Sequence, residues 1–192
     1  MLKTPNSWKE SPFPELYEKN PKTPLCVRLA RGKHNSELIL IHHLHHVSIP
    51  FIRSLSKGYT IRKIIGIPYS SFQSVVLELQ KDFDVVVPDS LKEIPAIVKK
   101  EVESTTNKII IEEIGGYTIK IANFLEKQPH VIGIVEDTKQ GYWAWKKIPL
   151  KRLSVQSVAC SKLKKAENCM VAKSIIDGTA RFLALHNLPP LK

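Results

Sequence analysis

The residues of this chain that could do chemistry fall into a few short clusters. His42, His43, His45 and His46 crowd one segment, and Glu112-Glu113 stand just before Gly115-Gly116. Glu136-Asp137-Thr138 precede Gly141, and a last group runs from Cys160-Ser161-Lys162 through Lys164, Lys165, Glu167 and Asn168. Imidazoles, carboxylates and amines in such groups hold polar ligands, and they transfer protons when burial or neighbouring charge moves their pKa toward neutrality. Adjacent residues on a strand point to opposite faces. At most two of the four histidines, such as His43 and His45, could therefore share a face and bind a metal. Of Glu112 and Glu113, one is expected to cap a backbone group or meet solvent. Cys160 reads as a small buried residue rather than a nucleophile, because the sequence places no base beside it. Trp143 and Trp145 read as packing residues.

Positioning these clusters requires a regular scaffold, and the sequence alternates between two textures that supply one. Short β-branched runs occur at Leu38 to Ile41, Ile61 to Ile67, Phe83 to Val87, Lys108 to Glu112, Val131 to Val135 and Val155 to Ala159. Stretches of helical periodicity separate them: Ile49, Ile52 and Leu55; Phe72, Val75, Val76 and Leu79; Ile94, Ile97 and Val98; Ile119, Ile121, Ala122 and Leu125; and Met170, Ile175, Ala180 and Leu183. The strand candidates are apolar on both faces, as strands covered by helices on both sides must be. Strand and helix taking turns predicts an α/β fold: a doubly wound, mainly parallel sheet, Rossmann-like with three layers. Ser70 or Ser71, Asp89 or Ser90, and Thr118 are the expected helix caps. In such sheets ligands bind beyond the carboxyl ends of the strands, where every polar cluster named above falls.

Composition sets the remaining bounds. The 192 residues fit one domain with an N-terminal arm, and a hydrophobic fraction of 43% supports a sizeable core. Pro5, Pro12, Pro14, Pro21 and Pro24 make residues 1–24 an extended arm, with Trp8, Phe13, Leu16 and Tyr17 to dock it on the domain over 25–192. No apolar run approaches the roughly 20 residues of a membrane span, and the N-terminus has no secretory-signal pattern. Three cysteines without metal-type spacing suit a reducing, cytoplasmic location. A net charge of +11 admits an acidic partner, but the basic residues are spread and no nucleic-acid motif accompanies them. Nucleic acid is not the expected partner.

Four segments, in order from His42 to Gly178, resemble the substrate-binding half of the adenosylhomocysteinase family. Glu112 to Tyr117 is similar to that family's acidic-acidic-Gly-Gly turn, and GIVEDTKQG over Gly133 to Gly141 resembles its Gly-Ile-x-Glu-Glu-Thr-Thr-Thr-Gly segment. KSIIDG over Lys173 to Gly178 resembles the Glu-Ser-Leu-Ile-Asp-Gly stretch, and His42 to Leu55 matches a Leu-His-x-Thr segment in spacing. The resemblance implies binding of adenosine or S-adenosylhomocysteine through His43, His45, Glu136, Asp137, Thr138 and Asn168. It nominates Glu113, Lys162 and Glu167 as catalytic candidates. Ile114 stands where the family has its second acidic residue.

That family's reaction oxidises a ribose hydroxyl with NAD, held by a second domain with a glycine-rich phosphate loop. No G-x-G-x-x-G occurs here, so the expectation is a chain without an NAD-binding domain and without a cofactor of its own. The leading expectation is a domain that binds an adenosine-type ligand and does not hydrolyse it alone. The alternatives are the substrate half of an enzyme whose NAD domain is supplied elsewhere, and a basic interaction module for an acidic partner. A homo-oligomer or a partner protein is compatible with each.

Overall fold

The computed structural model describes residues 32–189, apart from the side chains at 163, 166–168 and 170. The proline-rich arm expected over residues 1–24 lies outside the described residues, as do the side chains of Glu167, Asn168 and Met170.

Six strands, β1 (Ser36–His42), β2 (Thr60–Gly66), β3 (Val85–Val86), β4 (Lys108–Glu113), β5 (Val131–Glu136) and β6 (Ser154–Ser157), pair in the order β3-β2-β1-β4-β5-β6. Every pairing is parallel. The helices between them are α1 (Ser48–Leu55), α2 (Gln73–Leu79), α3 (Ile94–Glu103), α4 (Ala122–Glu126) and α5 (Lys139–Trp145), with α6 (Lys162–Leu185) last. The doubly wound α/β fold expected from the alternating textures is the fold observed.

Period-two alternation along the strands explains the layers. Leu38 and Leu40 of β1 pack with Ile52 and Leu55 of α1 and with Val75, Val76 and Leu79 of α2. Ile39 and Ile41 face the other way, into a cluster with Val98 and Val102 of α3, Leu125 of α4 and Trp145 of α5. Burying each of these side chains contributes about 1.5–3 kcal/mol, so a one-residue slip of β1 exchanges both faces at once and is strongly resisted.

The helix starts differ from expectation in two places. α2 begins after Phe72 with no side-chain cap. Ser71 donates instead to the Ile67 carbonyl at 2.9 Å, and Ser70 closes a 3-10 turn at Pro68–Ser70. Thr118 caps nothing. It sits inside the 3-10 turn Tyr117–Ile121, which is entered from Gly116 at φ 68°, a left-handed conformation that glycine adopts without strain. Ser90 does act as a cap, accepting from the Lys92 amide at 3.3 Å. Cys160 is exposed rather than buried, and Trp143 is exposed where Trp145 is buried.

Helix α6 starts at Lys162, with the Ser161 hydroxyl accepting the Lys164 amide at 3.1 Å. Val171, Ile175, Ile176, Phe182 and Leu185 along it are exposed. No helix among the described residues is long and apolar enough to cross a membrane. Because Ile175 and Phe182 are 63% and 53% exposed, Ile175→Lys and Phe182→Lys should each move Tm by less than about 2 °C in a thermal melt. A loss above about 5 °C would show that this face is covered.

Candidate functional site

Strand order reverses between β1 and β4, whose chains leave the sheet toward opposite faces, so a crevice opens beyond their carboxyl ends. The loops around it carry the polar clusters of the sequence.

Two carboxylates build the rim from beneath. Glu113 and Glu136 are register partners on β4 and β5, and both are fully buried. Glu136 accepts the amides of Gly115 at 3.0 Å, Gly116 at 2.8 Å and Thr138 at 2.7 Å, and the Thr138 hydroxyl at 2.6 Å. Thr138 in turn accepts the Gly141 amide at 3.0 Å and starts α5. Glu113 accepts the Thr118 amide at 2.9 Å and the Trp145 indole N–H at 2.7 Å. Burial pushes its carboxyl up to about 7 against the lowering effect of these donors. Glu113, nominated for catalysis, thus has both oxygens bonded inside the fold, and Glu136, nominated for ligand contact, ties the Gly115-Gly116 turn to the Thr138 loop. Ile114 is buried in the core cluster.

The other register row lies on the opposite face of the sheet. Glu112 pairs with Leu40 of β1 and Val135 of β5, and Asp137 lies two residues past Val135. Asp137 is bonded to Lys164 of α6 at 3.0 Å, beside a recess of about 290 Å³ lined by Asp137, Thr138, Lys139, Ala159 and Lys164. Lys162, the nominated lysine, is exposed at the helix start. The lysine brought to Asp137 is Lys164.

Histidines form the β1 side. His43 Nδ1 is hydrogen-bonded to the Ser70 hydroxyl, and the His43 carbonyl accepts from Ser48 at 2.7 Å. The His45 ring lies 5.9 Å from that of His43 and edge-on to Phe72 at 5.0 Å. Burial lowers the pKa of His42, His43, His45 and His46. Neutral imidazoles on this rim contact polar groups as donors and acceptors rather than as cations. Among the described residues no three His, Cys, Asp or Glu side chains are placed to hold a metal ion.

His42 and Glu112 belong to the histidine and acidic clusters of the sequence but not to its nominated contacts, and they lie 3.9 Å apart at the ends of β1 and β4. Their signal was available in the alternation of β4, where Glu112 must oppose the core-facing Ile111 and Glu113. No protein-family model matches the sequence, and no curated protein matches it.

Two substitutions test the geometry. A Cβ at Gly141 would fall 2.3 Å from the Glu136 carboxyl, which is held on four sides, whereas one at Gly178 meets nothing within 4 Å. Gly141→Ala should cost more than about 2 kcal/mol in denaturant unfolding, and Gly178→Ala in the exposed helix should stabilise by up to about 1 kcal/mol. Burial and the nearby Asp137, Glu136 and Glu113 charges push Glu112 up to about 8. A raised carboxyl stabilises the fold at low pH and loses that contribution as pH rises toward 8. Glu112→Gln should therefore raise Tm relative to wild type at pH 8.5 and change it little at pH 4.5. A uniform shift at both would contradict this.

Proposed function

We propose that the chain is an adenosylhomocysteinase-like domain that binds an adenosine- or S-adenosylhomocysteine-type ligand on the carboxyl rim of its sheet and does not hydrolyse it alone. The observation that carries this reading is Asp137. Its carboxylate is partly exposed, oriented by Lys164 at 3.0 Å, and stands beside Thr138 at an open recess of about 290 Å³. A carboxylate fixed this way accepts from two neighbouring hydroxyls, the pattern a ribose diol presents.

Support also comes from the sequence order of the four resembling segments, since three of them, those containing His43, Gly115-Gly116 and Asp137, meet at one crevice. Glu113 has both oxygens committed inside the fold, which leaves it none for a hydrolytic step. Any oxidation of the ribose would need NAD held by a separate domain.

Calorimetry with adenosine and S-adenosylhomocysteine tests the reading. Saturable heat with a Kd below about 1 mM is expected, and Asp137→Ala should weaken it by about tenfold or more, the worth of a charge-assisted hydrogen bond. No heat with either ligand, from a folded sample, rejects the proposal.

A further inference from the structure

The net charge of +11 is unevenly placed. Between Lys139 and Lys165 the sequence holds eight lysines and arginines and no acidic residue. This segment folds as α5, the edge strand β6 and the start of α6, so its charge gathers along one edge of the sheet. Two of the eight are used inside the fold. Lys164 pairs with Asp137, and Arg152 donates to the carbonyls of Leu125, Glu126 and Val131. The other six, Lys139, Lys146, Lys147, Lys151, Lys162 and Lys165, are exposed, and among the described residues none of them pairs with a carboxylate. Glu126, next to this edge, spends its carboxylate on the amides of Lys151, Arg152 and Leu153.

Trp143 stands in the middle of this charge. Lys139, Trp143 and Lys146 are spaced i, i+4 and i+7 along α5 and its C-cap, so they share the helix face opposite the buried Gly141 and Trp145. The Trp143 side chain is 59% exposed, whereas tryptophan is highly buried on average. The Lys146 ammonium lies 5.4 Å from the centre of the Tyr142 ring, so cations and aromatic faces alternate along the helix. In the sequence the basic residues are dispersed and Trp143 reads as a packing residue. The fold sets them side by side in solvent.

We propose that this stripe binds single-stranded nucleic acid without sequence preference, with one base stacked on Trp143 and the flanking phosphates on Lys139, Lys146 and Lys147. Cations alone fit any polyanion, and the indole narrows the choice. Stacking on it takes an unpaired base, which a duplex does not offer. An acidic peptide would meet the lysines but bring no planar face to the ring. A membrane surface would take a broader apolar patch, and the residues that share the face of Trp143 are lysines. Only Lys139 is common to this stripe and the recess beside Asp137, so this inference and the adenosine reading stand or fall separately.

Fluorescence anisotropy of a labelled oligothymidylate of about 12 nucleotides, titrated with the full chain, tests it. At about 50 mM salt a Kd of about 10 μM or tighter is expected, and about 200 mM salt should weaken binding roughly twentyfold, the slope for three phosphate contacts on a single strand. Trp143→Ala should weaken binding about tenfold with that slope unchanged, and Trp143→Phe, which keeps a stacking face, should recover most of the loss. Lys146→Gln combined with Lys147→Gln should weaken binding at low salt and flatten the slope by about two-thirds. These side chains are exposed, so the variants keep the fold. No binding at about 50 mM salt, binding indifferent to Trp143→Ala, or a duplex of the same length bound as tightly overturns the inference. Tighter binding to phosphatidylserine vesicles than to the oligonucleotide also overturns it and makes the stripe a membrane contact.

Discussion

The Glu136 carboxylate is the interaction on which the rim depends. Four donors from two loops converge on it inside the fold, and no water shell competes for them. Charge-assisted hydrogen bonds of this kind are each worth more than a neutral one, and removing their acceptor would strand buried amides. Through these bonds the Gly115-Gly116 turn, the Thr138 cap and the first turn of α5 hold one shape. Gly141 is part of the same arrangement, since any side chain there meets the carboxylate. Asp137 follows Glu136 directly, so the residue proposed to meet the ligand is positioned by the residue that cannot.

Strand alternation sorts the acidic residues into two jobs. Glu113 and Glu136 share the face of Ile111 and Ile134, where they are buried and satisfied by backbone and indole donors. Glu112 and Asp137 share the opposite face, at the edge of the crevice, where one is partnered by Lys164 and the other has an enclosed oxygen with no donor. Each pair of adjacent acidic residues is thus split between the two faces of the sheet. Proximity of the pairs has a cost that appears at Glu112, whose ionisation the other three oppose.

Much of this was legible in the sequence, for a physical reason. Six short runs of β-branched residues separated by helical periods leave few ways to bury both faces of each strand, and the parallel doubly wound sheet is the one adopted. The polar clusters fell at strand ends because runs such as Ile109-Ile110-Ile111 end in them. What sequence spacing could not supply was the direction of each side chain once the strands ended. Thr118 has cap-type chemistry, but the left-handed Gly116 begins the turn earlier and turns the Thr118 amide to Glu113. Lys162 and Lys164 are equally placed by the sequence, and only the capping of α6 by Ser161 sets which one reaches Asp137. The resemblance nominates Glu113 at the Gly-Gly turn, and the fold binds both of its oxygens to the Thr118 amide and the Trp145 indole.

The central claim is that a ligand of the adenosine type sits over the β1–β4 crevice, against the face that carries His42, Glu112 and Asp137. Mapping amide and imidazole chemical-shift changes by NMR as adenosine is added tests this most directly. The account predicts changes concentrated at His42 to His45, Glu112 to Gly116, Asp137 to Lys139 and Lys164, with α2 and α3 unaffected. Changes centred on the exposed face of α6, or spread evenly over the basic surface, would contradict it.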